Sequence, residues 1–323
     1  MSTSTHAATT ATILIADNDI SNRQKFAEIL EGQGYYPITA RDGAEALDIF
    51  TSKPTDLVIL DVKMAGLTGF EVCRKIKGNP ETRLIPVVLV SGLINANDRI
   101  VAIECGADEY LTKPVRKDEF IARIRSLLRL KQFTDDLEIA ETVLFDLALS
   151  IEAKDPYTEG HCARLSIYSV ELATALGLPE EQRTALRKAS IVHDIGKVAV
   201  PDLILLKPGG LTDEESRIMA LHPTVGERIC KPLRSFRAVL PIIRHHHEKL
   251  DGSGYPDGLK GDAIPITARI MTTVDVYDAL TTDRPFRPAM SPEKAFAIMQ
   301  EEVARGWLDG KLVEQFKAIM EKK

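Results

Sequence analysis

The pattern of apolar and polar positions changes character near residue 130. Before it, short runs with the look of strands, TILIAD (12–17), DLVILD (56–61), IPVVLVS (85–91) and DEYL (108–111), alternate with other stretches. In those stretches, NRQKFAEILEGQG, GAEALDIF, GFEVCRKIK, NDRIVAIECG and KDEFIARIRSLLRL, apolar residues recur every three or four positions, as on a helix face. Nearly continuous apolar strands between helices predict a doubly wound parallel α/β sheet. After 130 the strand pattern stops. EEQRTALRKASIVHDIG, DEESRIMALHPTVGERIC and ITARIMTTVDVYDALTT predict an all-α bundle, interrupted by the Gly- and Pro-rich DGSGYPDGLKGDAIP (251–265). At the join, Leu130, Phe133, Leu137, Ala140, Leu144, Leu147 and Ile151 are spaced 3, 4, 3, 4, 3, 4. This is the seam of a coiled coil, and equally the stripe of one helix packed on its own domain. The expected layout is a disordered tail (1–11), an α/β domain (12–130), a helical linker (131–153) and a helical domain (154–323).

Composition narrows the classes. The 323 residues are 44% hydrophobic and 27% charged, which suits two globular domains with real cores. A net charge of −6 argues against a broad grip on a nucleic acid polymer. Cys73, Cys105, Cys162 and Cys230 form no CxxC pair, so neither a disulfide framework nor a thiolate zinc site is expected, and a reducing cytoplasm fits. There is no run of about 18 apolar residues for a membrane span. MSTSTHAATTA has neither the charged start nor the apolar centre of a signal peptide.

Ligands of an open parallel sheet bind beyond the carboxyl ends of its strands. There the first half carries Asp17, Asp61, Ser91 and Lys113. Acids so placed can hold Mg²⁺, the lysine can meet a phosphate, and Asp61 can act as a nucleophile. With these residues in view, 12–130 resembles a two-component receiver domain. LDVKMAGLTGFE matches the phosphoacceptor loop, LVSG the switch segment and ADEYLTKP the segment with the aromatic switch residue. The resemblance implies a flavodoxin-like five-stranded sheet, Asp61 as phosphoacceptor, Ser91 and Tyr110 as switch residues, Lys113 as phosphate partner, Mg²⁺ near Asp17, and a cognate histidine kinase. Two positions depart from the pattern. Asn18 replaces the second acid, with Asp19 beside it as a substitute oxygen, and Ala65 replaces a proline.

Six of the seven histidines fall between 161 and 247, all in the helical half. His161, His193, Asp194, His222, His246, His247 and Asp275 are candidate metal ligands; His245 reads as a core or supporting residue. Asp194, in SIVHDIGKVAV, and Asp275, in TTVDVYDAL, have apolar neighbours, and a buried carboxylate is costly unless paired or metal-bound. Adjacent helical residues point about 100° apart. His193 with Asp194, and His246 with His247, therefore do not readily grasp one ion, and two ions bridged by Asp194 resolve the geometry. Nitrogen and oxygen donors without sulfur favour Mn, Fe or Zn.

HDIGK (193–197), PDLILLKPGGLTDEE (201–215), HHEKLDGSGYPDGL (246–259) and DRPFRPA (283–289) occur in that order, and residues from about 137 to 323 resemble an HD-GYP domain of the HD phosphohydrolase superfamily. That family hydrolyses cyclic di-GMP at a di- or trimetal centre. The resemblance implies that the seven candidates are metal ligands, that Lys197, Arg284 and Arg287 contact phosphate, and that Gly254, Tyr255 and Pro256 sit beside the site. Tyr255 either stacks on a base or anchors its loop. Tyr157 stands where trimetal members carry a glutamate, which favours two metals. Such a pair, about 3.5–4 Å apart, activates a water and neutralises phosphate oxygens. The leading expectation is a response regulator that hydrolyses cyclic di-GMP to a linear dinucleotide or GMP, as a homodimer, with Asp194 bridging the metals and Lys197 on the phosphate. The alternatives are another cyclic dinucleotide, or a weakly catalytic adaptor that binds protein partners through the GYP loop.

Overall fold

All four apolar runs of the first half become strands of one sheet. β1 (Thr12–Ala16), β2 (Tyr36–Ala40), β3 (Leu57–Asp61), β4 (Val87–Ser91) and β5 (Glu109–Thr112) lie parallel in the order β2-β1-β3-β4-β5. The structure is a computed structural model, and it describes residues 10–92, 96–154, 160–283 and 288–322. Most of the tail, along with Tyr157, Arg284 and Arg287, lies outside those residues. β2, YPITA, was not among the apolar runs. It is an edge strand, largely uncovered, where a proline is tolerated because one side of its backbone has no ladder to join.

Alternate residues of the central strands enter different cores. Ile13, Ile15, Leu57, Ile59, Val88 and Val90 pack against Phe26 and Leu30 of α1 (Ile20–Glu31) and Phe120 and Ile124 of α5 (Lys117–Glu152). Leu14, Val58, Leu60, Val87 and Leu89 pack on the other face. There they meet α2 (Gly43–Ser52), α3 (Gly69–Gly78) and α4 (Ala96–Glu104), through Ala46, Val72, Cys73, Ile76 and Ala102. The period-two alternation of a strand thus explains why these runs are apolar throughout.

The chain divides into two compact units at Ala140/Glu141, inside α5. No strand follows β5 among the described residues. The second unit holds α6 (His161–Ala175), α7 (Glu180–Val192), α8 (Asp202–Leu205), α9 (Asp213–Met219), α10 (His222–Cys230), α11 (Leu240–His245), α12 (Ile266–Thr281), α13 (Pro292–Ala304) and α14 (Gly310–Met320). One core runs through it, with Leu165, Leu186, Val192, Phe236, Ile242, Met271, Val274 and Phe316 among its buried members. Ala148 and Ile151, at the end of α5, belong to this core. All four cysteines are buried free thiols. No described helix is long and apolar enough to cross a membrane.

Candidate metal centre and strand-end acidic site

The strand ends of the first unit gather the expected group. Asp17 follows β1, Asp61 closes β3, Ser91 closes β4 and Lys113 follows β5; the two acids and the serine are buried. Lys113 Nζ donates to Asp17 Oδ2 at 2.7 Å and to Asp61 Oδ1 at 2.5 Å. Burial pushes the Asp61 carboxyl above its usual range, although Lys113 pulls the other way. Burial also opposes the Lys113 charge, but its bonds to the two carboxylates outweigh this and raise its pKa. Asn18 is exposed. Asp19 uses one carboxylate oxygen to cap α1, accepting from Ser21 N at 2.8 Å. Tyr110 lies in β5, half-buried.

In the second unit all seven expected ligands converge. Asp194, His222, His246 and His247 offer donor atoms within 4.8 Å of one another, and so do His161, His193 and Asp275. Helix ends explain how. His193 ends α7, His222 begins α10 directly after α9, and His246 ends α11. The last carbonyls of a helix lack intrahelical partners. Each of these histidines donates its Nδ1–H to the carbonyl three residues before it: Ser190 at 3.3 Å, Met219 at 2.8 Å and Ile243 at 2.8 Å. That fixes the tautomer and leaves Nε2 as a lone-pair donor facing inward.

These lone pairs then face one another. His222 Nε2 is 3.3 Å from His246 Nε2 and 3.1 Å from Asp194 Oδ1, while His193 Nε2 is 3.4 Å from Asp194 Oδ2. Asp194 Oδ1 and His193 Nε2 are buried without a hydrogen-bond partner. Converging lone pairs around an orphaned carboxylate oxygen repel unless a cation lies among them, so the donor set fits a metal. Burial, with the neighbouring imidazoles, lowers the pKa of His246 and holds His247 well below the usual histidine value. Burial opposes the Asp194 charge, yet Lys197 and His193 keep its carboxyl ionised far below the usual range. In the metal-free centre, Asp194 in turn raises His193 against the effect of burial.

The pairing of donors differs from expectation at one point. His193 and Asp194 do fall in different groups, but His246 and His247 share one. The helical 100° does not apply, because the chain leaves α11 at His246 and turns, bringing the two rings to 4.1 Å. Lys197 places its ammonium 2.6 Å from Asp194 Oδ2. Beside the cluster is a cavity of about 40 Å³ lined by Glu152, His161, Cys162, His193, Asp194 and Lys197, among others.

The Gly/Pro loop is tied down from both sides. Tyr255 stacks on His247, with ring centres 4.9 Å apart, and its N–H donates to the His247 carbonyl. A Cβ on Gly254 would run into the backbone of Lys249 and Glu248, so only glycine fits. Glu248 was not foreseen. It is buried, and its two oxygens accept Asp257 N at 2.7 Å and Leu259 N at 3.1 Å. The Asp257 carboxylate meets both arms of Arg244 at 2.7 and 2.8 Å and His245 at 3.0 Å, which gives His245 a supporting role. Asp278 was missed as well: it bonds His161 and Arg164. The available signal was spacing, since Asp278 lies three residues after Asp275 and Arg164 three after His161, on shared helix faces.

The sequence profile of the response regulator receiver domain matches residues 13–125, and that of the HD domain matches 147–312. A probable cyclic di-GMP phosphodiesterase of Vibrio cholerae is 38% identical, with 89% of this chain and 73% of that one aligned. The cyclic di-GMP phosphodiesterase response regulator RpfG of Xanthomonas campestris pv. campestris is 34% identical over 91% of this chain and 84% of its own. A 3'3'-cGAMP-specific phosphodiesterase of Vibrio cholerae is 44% identical, over 47% of this chain and 33% of its own.

Proposed function

The chain belongs to the response regulators that join a receiver domain to an HD domain, and we propose that it hydrolyses a phosphodiester bond of cyclic di-GMP under control of phosphorylation at Asp61. Members of this family are metal-dependent phosphohydrolases, and the His/Asp cluster of this chain can bind metal. The observation that carries the proposal is the inward set of Nε2 lone pairs about Asp194, in a chain aligned over most of its length with cyclic di-GMP phosphodiesterases.

The groups Asp194/His222/His246/His247 and His161/His193/Asp275 would each hold one divalent ion, Fe, Mn or Zn, with Asp194 as the ligand they would share. When bound, such ions neutralise phosphate oxygens and make water a nucleophile at neutral pH. The chain does the rest. Nδ1 bonds to helix-end carbonyls hold three imidazoles with Nε2 aimed inward. Lys197 sets a fixed positive charge at the rim of the cluster, where a non-bridging phosphate oxygen would arrive. Tyr255, seated on His247, walls the site beside a substrate base. Arg284 and Arg287 remain proposed phosphate contacts. In the receiver, Asp17 and Asp61 would hold Mg²⁺, Lys113 would meet the phosphoryl group, Ser91 and Tyr110 would respond to it, and a histidine kinase would supply it. The GYP loop is also a candidate surface for protein partners.

The cGAMP-specific relative supports a second reading, hydrolysis of another cyclic dinucleotide. Metal analysis of the purified protein, with chromatography of products from cyclic di-GMP and 3'3'-cGAMP, decides between them. We expect two metals and a linear dinucleotide, or GMP, from cyclic di-GMP. Turnover of 3'3'-cGAMP alone would reassign the substrate. A metal-loaded protein that cleaves neither would leave the adaptor reading.

A further inference from the structure

His161 stands apart from the other histidines of the centre. It opens α6. Its Nδ1–H donates to a carboxylate, Asp278 Oδ2, at 2.7 Å. Asp278 is 2% exposed and is gripped by Arg164, Nε to Oδ1 at 2.6 Å and Nη2 to Oδ2 at 3.0 Å. The two helices are built alike: α6 carries the ligand His161 and, three residues on, Arg164; α12 carries the ligand Asp275 and, three residues on, Asp278. His161 Nε2 faces Asp275 Oδ1 at 3.5 Å. Each helix thus supplies one donor and one half of an ion pair that fixes how the helices face each other.

We propose that Arg164 and Asp278 are positioning residues that set the metal affinity of the His161/His193/Asp275 half of the centre, leaving the Asp194/His222/His246/His247 half nearly independent of them. A carboxylate behind an imidazole orients it and makes it a stronger donor than a carbonyl does. The other half takes its orientation from the Met219 and Ile243 carbonyls. The proposal rests on the two-metal reading above and extends it by making the two positions separately breakable.

The test is Mn²⁺ binding to the full-length protein, by calorimetric titration and by metal content after gel filtration. Wild type is expected to bind two ions. In Asp278→Asn a single amide oxygen must serve three donors, so one binding class should weaken by about 10–100-fold. The other class should keep its wild-type affinity. Arg164→Lys retains the charge and loses the fork; it should weaken the same class by a smaller factor, and it decides the matter if Asp278→Asn does not fold. Two unchanged classes in the variants would overturn the proposal, as would equal weakening of both. A wild type that binds fewer than two ions would remove the two-metal reading itself, and the proposal with it.

Discussion

Asp194 is where the chemistry of single residues was easiest to see in advance. A carboxylate amid Ile191, Val192, Ile195 and Val198 needs a partner, and the structure gives it two kinds, imidazoles and Lys197, with one oxygen left for a cation. Removing it should do more than remove one donor. Asp194→Ala is expected to lose metal from both halves and to abolish hydrolysis, read by metal content and product release; full activity with two ions retained would exclude the bridging role. Lys197→Ala should separate from it, keeping its metals while turnover drops by about a hundredfold or more, as when one preorganised charge is withdrawn from a transition state. Asp278 and Glu248 were not legible in the same way. Acidic residues on helices and next to histidines are ordinary, and only the fold shows that these two are buried and what they hold.

At the scale of elements, the apolar strands and the long amphipathic helices could be read directly, because burial writes its period into the chain. β2 could not, since an edge strand is half-covered and carries little apolar signal. The sharing of one group by His246 and His247 depended on where α11 stops, and helix ends are the least patterned part of a sequence. The loop after that end yields a further prediction. The buried Glu248 carboxylate accepts from two backbone N–H groups of the loop, and a hydrogen bond to a charged group contributes about 1.5–3 kcal/mol. Glu248→Ala should therefore loosen the segment from Asp251 to Leu259. Trypsin should cut faster at Lys249 and Lys260, and KM for the cyclic dinucleotide should rise more than kcat falls. His246 keeps its bonds to Ile243 and Thr272, so metal content should stay near wild type. Unchanged proteolysis together with unchanged KM would show that Glu248 does not govern the loop.

Across the whole molecule, the open question from the sequence was the heptad stripe on what proves to be α5, a single helix of 36 residues. The structure accounts for one end of the stripe. Leu144 and Ile151 pack into the core of the second unit with Phe145 and Ala148, so this end of the stripe is intramolecular. Leu130, Phe133, Leu137 and Leu147 are 64%, 60%, 39% and 43% exposed, and that much apolar surface along one helix is what a second copy would cover. A homodimer is therefore expected to pair through Leu130, Phe133 and Leu137, with Leu144 left to the fold. Phe133→Glu with Leu137→Glu should give monomers that still fold and bind metal, whereas Leu144→Glu should destabilise the second unit. If pairing carries the signal, phosphorylation at Asp61 need bias two arrangements of the pair by only on the order of a few kcal/mol. The monomeric variant would then hydrolyse at one rate with or without beryllofluoride, while wild type responds. Sedimentation that finds wild type monomeric in both states, at micromolar concentration, would refute the dimer. The signal would then have to pass within one chain.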